Sequence, residues 1–451
     1  MSQSSLSYRR DARSLMVLGL PLIGSHLAQM AIHLTDSVML GWYGVEALAA
    51  QVLAHTFFFV FFIMGSGFAF AVMPMVATAV AEGDERQVRR ITRMGAWASL
   101  GFAALVLPFM IGSEAIFRML DQDLQTSALA GEYLAIAGVS IIPALMVMVL
   151  KSYLAALERT QVVLWLTLAG VALNALINYA LIFGNLGMPE MGVRGAAIAS
   201  LGVTSATLIA LGVYVALATP EHAIFVRVWR PDWEALRDVF RLGWPIGITN
   251  LAETGLFAAS SVMMGWLGTV PLAAHGIALQ LTSIAFMIHL GLSHAATVRA
   301  GQAYGRRDKG ALRSGAIVAV ALSAFFAAVT VVIFIALPEI LIIGFLGPDD
   351  PDRAAVIAIG TGLLAAAALF QLVDAGQVMA LGLLRAVRDT RVPMVIAAIS
   401  YWVIGIPASY LLGFTAGFGG VGVWIGLAIG LAAASGLLGA RFWRWTGRWM
   451  M

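Results

Sequence analysis

Cysteine is absent from the 451-residue sequence, which excludes disulfides, thiolate metal sites, cysteine nucleophiles and cysteine-held clusters and leaves the redox compartment unread. Charge is scarce as well. Only 11% of residues are charged and 61% are hydrophobic, against about 25% and 45–50% in an ordinary soluble domain, so a soluble enzyme of this length is excluded. The sequence has no glycine-rich GxxxxGK[ST] phosphate cradle, no HExxH pair and no soluble stretch long enough to house a nucleotide engine. What is present in quantity is 47 glycines, 21 methionines and 12 tryptophans. Glycine permits close helix contact and tryptophan collects at membrane interfaces, so this composition points to a polytopic membrane protein.

The few charges fall in short segments between long uncharged runs. At about 20 residues per crossing, these runs predict twelve spans. They lie near 14–41, 47–76, 94–113, 128–150, 160–184, 195–217, 242–267, 271–298, 314–337, 354–384, 392–414 and 421–440. Of the 27 basic residues, only Arg118, Arg194 and Arg353 fall on one side, and the other 24 occupy alternate connections. The positive-inside rule then places both termini in the cytoplasm, which requires an even number of spans. The first apolar run is too long for a signal-peptide core and lacks a nearby small-residue cleavage site, so it reads as the first span.

The sequence repeats itself. At an offset of 224, Ser37-Val38-Met39-Leu40-Gly41-Trp42-Tyr43-Gly44 pairs with Ser261-Val262-Met263-Met264-Gly265-Trp266-Leu267-Gly268, six of eight identical. Gly19-Leu20-Pro21 likewise pairs with Gly243-Trp244-Pro245. The expected organisation is an N-terminal six-helix lobe over 1–217, a cytoplasmic connection over 218–241 and a C-terminal six-helix lobe over 242–451. An even number of spans separates the copies, so they form a parallel repeat, the usual basis of alternating access in a transporter.

Three acids, Asp36, Glu253 and Asp374, lie well inside predicted spans. A carboxylate there costs several kcal/mol or more, so it faces the bundle interior or a cavity and is a functional candidate. Glu253 and Asp374 lie 12 and 11 residues from Arg241 and Arg385, about 16–18 Å along their helices and near the midplane. Two neighbouring carboxylates in a poor dielectric bind a proton or a cation between them, which makes this pair a candidate coupling site. The alternative is that each acid pairs with a buried donor to hold helices together. No arginine or lysine is expected within the membrane to act as a fixed counter-ion. Asn174 and Asn178, one turn apart on the fifth span, either join Asp36 in a polar cluster or serve as helix glue. His26, His33, His289 and His294 are read as packing histidines or proton shuttles. Phe57, Phe58, Phe61, Phe62 and Met64, with Met73, Met75, Met263 and Met264, offer an adaptable apolar lining or ordinary core.

These residues resemble the multidrug and toxic compound extrusion (MATE) family, and most closely its NorM-like bacterial branch. The likeness covers the whole chain. It is carried by Thr35-Asp36-Ser37-Val38-Met39-Leu40-Gly41, Pro189-Glu190-Met191-Gly192-Val193-Arg194-Gly195-Ala196, Glu253 on the seventh span and Gln371-Leu372-Val373-Asp374-Ala375 on the tenth. The resemblance implies an antiporter of the bacterial inner membrane that exports organic cations in exchange for Na⁺ or H⁺. It also implies that Glu253 and Asp374 form a C-lobe cation site, with Na⁺ as the candidate metal, and that Asp36, Asn174 and Asn178 line an N-lobe cavity for a proton or substrate. One departure stands out: Phe370 takes the place where the pattern often has tyrosine, so a hydroxyl ligand is missing there. No resident cofactor or catalytic residue is expected. The expected partners are small organic cations and the bilayer, without nucleic acid, and the chain is read as a monomer.

Three other readings carry less weight. A lipid-linked precursor flippase needs a cationic cavity for pyrophosphate. An intramembrane aspartyl protease needs a GxGD context that neither Asp36 nor Asp374 has. An ion channel fits poorly with unequal paired acids.

Overall fold

The computed structural model describes residues 3–347 and 351–450. Every regular element among them is a helix, as expected for apolar runs whose backbone polar groups must be satisfied within the segment. The first half holds α1 (Gln3–Tyr43), α2 (Val45–Glu82), α3 (Glu85–Ile111), α4 (Leu124–Ala156), α5 (Thr160–Phe183) and α6 (Gly192–Ala218). The second half holds α7 (Trp233–Leu267), α8 (Thr269–Gly305), α9 (Lys309–Ala336), α10 (Arg353–Ala386), α11 (Arg391–Thr415) and α12 (Gly419–Met450). Short helices Ser113–Met119 and Pro338–Ile343 follow the third helix of each half.

Among the described residues, eleven helices are long and apolar enough to cross a membrane. The twelfth, α7, has the length: its 35 residues reach about 52 Å at helical rise. Pro245, Asn250 and Glu253 lower its hydropathy. The protein is thus an all-helical, multi-span membrane protein. Apolar side chains such as Trp165, Leu217, Val262 and Phe325 are more than half exposed, an arrangement suited to lipid rather than water.

The sequence repeat survives as local geometry. Asp84 and Asp308, 224 residues apart, cap α3 and α9, each accepting a backbone N–H three residues on at 2.8 and 2.9 Å. Ser37 Oγ donates to Gln51 Oε1 at 3.2 Å, and the equivalent Ser261 lies 3.2 Å from His275 Nε2. The two halves differ in their fifth helices. α5 is an unbroken α-helix, whereas α11 winds as π-helix over Ile399–Gly405 and Leu411–Thr415.

By packing, the chain forms two compact units, one of Gly24–Gly247 and the other of Met1–Ile23 with Ile248–Met451. Division by chain order at 217 and 242 therefore differs from division by packing. The connecting segment packs within the first unit, and the first 23 residues pack within the second. Both boundaries fall inside helices, α1 and α7, at positions related by the offset of 224.

Equivalent glycines explain each placement. A Cβ on Gly67 of α2 would lie 2.4 Å from Gly247 N and 2.5 Å from Gly243 O of α7. A Cβ on Gly291 of α8, the repeat counterpart of Gly67, would lie 2.7 Å from Ile23 N of α1. Only a residue without a side chain allows backbones this close.

The connection is strapped to α3. Arg93 donates to the carbonyls of Ile224 and Ala223 at 2.8 and 2.9 Å and also to Val226, and Trp97 Nε1 donates to Val228 O at 2.8 Å. Arg90 pairs with Asp232 and with Glu234. Asp232 in turn accepts from Ala235 N at 3.1 Å at the start of α7. The Arg90 guanidinium beside Asp232 holds its carboxyl below the usual carboxylate range.

Candidate functional site

In the unit Gly24–Gly247, α1 carries Asp36 to a position only 2% exposed. The one-turn spacing on α5 aims both asparagines at the same oxygen. Asn174 Nδ2 and Asn178 Nδ2 donate to Asp36 Oδ1 at 2.7 and 2.6 Å. Ser200 Oγ of α6 donates to Oδ2 at 3.4 Å and lies 3.5 Å from Tyr133 OH of α4. The three residues expected to cluster are therefore brought together, and Ser200 and Tyr133 complete the set. Both Asp36 oxygens are engaged. The amide oxygens of Asn174 and Asn178 have no hydrogen-bond partner.

In the other unit, α7 and α10 bring Glu253 and Asp374 within range of each other's charge. Asp374 is 1% exposed, and Glu253 is half-buried. These acids are served differently from Asp36. Glu253 Oε1, Asp374 Oδ1, Gln371 Oε1 and Gln377 Oε1 are all shielded and lack a hydrogen-bond partner. Gln377, one turn beyond Asp374, donates from Nε2 to Tyr401 OH at 2.5 Å. Tyr401 sits in the first π-helical stretch of α11 and feels the charge of both acids. Phe370 is fully buried against Phe257 and Trp424, at 5.8 and 5.6 Å between ring centroids. A hydroxyl is thus missing from position 370, and the Tyr401 hydroxyl of α11 accepts from Gln377, three residues beyond Asp374.

Two basic residues stand near the ends of helices that run beyond the uncharged stretches, Lys151 on α4, which ends at Ala156, and Arg385 on α10, which ends at Ala386. Arg385 Nη2 donates to Asn250 Oδ1 at 3.0 Å, and Lys151 Nζ donates to Gln29 Oε1 at 3.2 Å. Helical side chains lean toward their own N-terminus, which carries a long basic group inward from its Cα.

Asn250, Gln377, Ser200, Tyr133 and Tyr401 carried no notice as single residues in the sequence. For Asn250 and Gln377 a signal existed, because each stands three residues from an intramembrane acid on the same helix face. Of the histidines, His33 pairs with His55 at 4.6 Å between centroids, and His289 Nδ1 lies 3.0 Å from Ser323 Oγ. Met73, Met75, Met263 and Met264 are buried, and Phe57, Phe58, Phe61 and Phe62 pack against the core of their unit. Among the described residues, no three histidine or acidic groups converge as a metal cluster.

The chain matches the MatE family over residues 21–180 and 245–411. It is 48% identical over 432 residues to a probable multidrug resistance protein NorM of Agrobacterium fabrum, covering 95% of this chain and 93% of that protein. The corresponding protein of Rhizobium meliloti is 47% identical, with 98% of this chain and 96% of that one covered. Among solved structures, a MATE protein in complex with MaL6 superposes with a TM-score of 0.89 at 18% identity, and both chains are covered in full. An outward-facing multidrug resistance MATE family transporter of the MOP superfamily gives 0.88 at 18% identity, covering 100% of this chain and 99% of that one. At such identity the structural matches carry the fold alone.

Proposed function

The chain belongs to the MatE family, and from that premise we propose that it is a multidrug efflux antiporter. It exports lipophilic organic cations in exchange for Na⁺ or H⁺, with both termini on the cytoplasmic side of the bacterial inner membrane. The observation that carries the reading is the set of shielded, unpartnered acceptor oxygens around Glu253 and Asp374. Buried acceptors without donors are costly, by about 1–3 kcal/mol each and more when charged. A monovalent cation or proton arriving at this cluster removes that cost, and substrate release outward is coupled to its arrival.

Asp36, Asn174, Asn178 and Ser200 form the corresponding polar site of the N-terminal half. Asp36 already accepts three neutral donors, which stabilise its charged form and suit it to contact with a cationic substrate. A second reading, in which H⁺ alone drives transport and Asp36 is its carrier, rests on the burial of that carboxylate. Arg385 does not revive a lipid-linked flippase, because its guanidinium is held by Asn250. The relatives' names carry the multidrug assignment to this chain.

The test is efflux of a fluorescent lipophilic cation from proteoliposomes under a Na⁺ gradient and a pH gradient imposed separately. Drive by Na⁺ alone makes Glu253 and Asp374 a Na⁺ site, and drive by pH alone makes the carboxylates proton carriers. No drive by either removes the antiport reading.

A further inference from the structure

We propose that Arg385 is a tethered cation of the Glu253 and Asp374 site, balancing one of its two carboxylates and so fixing the exchanged coupling charge at one per cycle. The proposal rests on the antiport reading above and deepens it. Arg385 stands eleven residues after Asp374 on α10, about 16 Å along the helix, and its side chain leans back toward that acid. It stops at α7, where Asn250 holds Nη2 at 3.0 Å one turn before Glu253. Asn250 thus holds a permanent cation one helical turn from Glu253 on the same face of α7. A guanidinium does not give up its proton in a protein and, held on the chain, it is not exchangeable. Two carboxylates and one guanidinium leave one negative charge for a mobile cation to neutralise.

The first half shows the same construction without the acid. Its fourth helix, α4, sends Lys151 to Gln29 of α1 at 3.2 Å, and Gln29 is the counterpart of Glu253 at the offset of 224. In both halves a basic residue from the fourth helix thus reaches the first, at Gln29 in one and at Asn250, three residues before Glu253, in the other. Only the second half places a carboxylate at the position of Gln29. Arg385 acts through Glu253 and is a positioning residue.

The test uses the full chain in proteoliposomes, with ethidium as a monovalent probe, a tenfold Na⁺ or pH gradient, and the membrane potential set with K⁺ and valinomycin. Protein-free vesicles give the passive flux to subtract. Exchange of one charge for one is electroneutral, so protein-mediated flux is expected to ignore the potential. Arg385→Gln exposes a second negative charge, and its flux is expected to follow the potential, with net positive charge moving alongside the coupling ion. At zero potential the sustainable probe gradient then rises from about tenfold to as much as about a hundredfold. Arg385→Lys keeps the charge and is expected to stay electroneutral at a lower rate.

A driven wild type with Arg385→Gln equally indifferent to potential overturns the proposal while leaving antiport intact. A wild type driven by neither gradient overturns antiport itself. Should Arg385→Gln fail to fold, the wild type decides the matter: gradient-driven flux that ignores the potential supports one exchanged charge, and flux that follows it overturns the proposal.

Discussion

The two polar sites occupy related helices and solve the problem of a buried acid in opposite ways. At the offset of 224, Asp36 corresponds to Ser260 and Gln29 to Glu253, so each half places its first-helix acid where the other has a neutral residue. Asp36 is wrapped by neutral donors that come from α5 and α6. Glu253 and Asp374 have one another, a guanidinium and several acceptors without donors. Asp36 has a donor on each of its oxygens, whereas Glu253 and Asp374 each leave an oxygen without one. On the proposed antiport, the second site is the one that an arriving cation completes.

The largest effects expected are at the second site. Glu253→Ala and Asp374→Ala should each reduce gradient-driven efflux to background, a loss of at least about 100-fold, or about 2.7 kcal/mol. Folded protein should remain in the membrane. Full transport by both single variants in the proteoliposome assay would falsify the role given to the pair. The comparison is sharpened by moving the acid. Ser260→Asp places a carboxylate at the counterpart of Asp36, where the buried Ser260 has only His275 beside it as a side-chain partner, at 3.4 Å. A drop of about 3 kcal/mol is expected there, seen as a lower melting temperature in detergent. An unchanged melting temperature would mean that the donor set around Asp36 is not what makes its burial tolerable.

Within the first site, Asn178→Ala removes one of two short donors to Asp36 and should destabilise by about 1–3 kcal/mol. A double-mutant cycle with Asn174→Ala should show coupling between them, and strict additivity would separate their roles. Gly67→Ala and Gly291→Ala test whether the halves pack alike. Both new methyl groups meet backbone at less than 3 Å, so similar losses of about 1–3 kcal/mol are expected from thermal unfolding.

The smallest effect belongs to the strap. Asp232 has a carboxyl held below its ordinary value by Arg90, so its contribution is present above the unfolded-state value, near 3.8. It is lost as pH falls through the lowered folded-state value. Asp232→Asn should therefore cost under about 1 kcal/mol at neutral pH, and the difference from wild type should shrink as pH falls below the ordinary value of 3.8.

Much of the fold was legible because uncharged runs mark spans and because a repeat shows itself at a fixed offset. Asp36, Asn174 and Asn178 could be read together, since a carboxylate and two asparagines one turn apart are rare in apolar sequence. The contacts of Arg385 with Asn250 and of Lys151 with Gln29 were not legible, because counting charge by position puts a basic residue where its Cα lies, whereas its long side chain reaches a neighbouring helix. Tyr401 was hidden for another reason: its approach to Gln377 depends on the π-helical winding of α11, which changes the face a residue presents and leaves no mark in the spacing. The helix that escapes the hydropathy criterion, α7, is the one carrying Asn250 and Glu253. The polar residues that make α7 a candidate site also weaken its membrane signal.

The boundaries inside α1 and α7 bear on how such a chain arose. Each half gives its opening segment to the packing unit of the other, Met1–Ile23 in one case and the stretch up to Gly247 in the other. A single ancestral copy could not fill its own groove beside Gly67 or Gly291 without bending that segment back on itself. Two copies could do so by exchange, as in a segment-swapped homodimer. Gene fusion would then have made permanent an exchange that already existed. Halves of this protein produced separately should accordingly be recovered as complementary pairs rather than as free six-helix bundles, which co-purification in detergent would show.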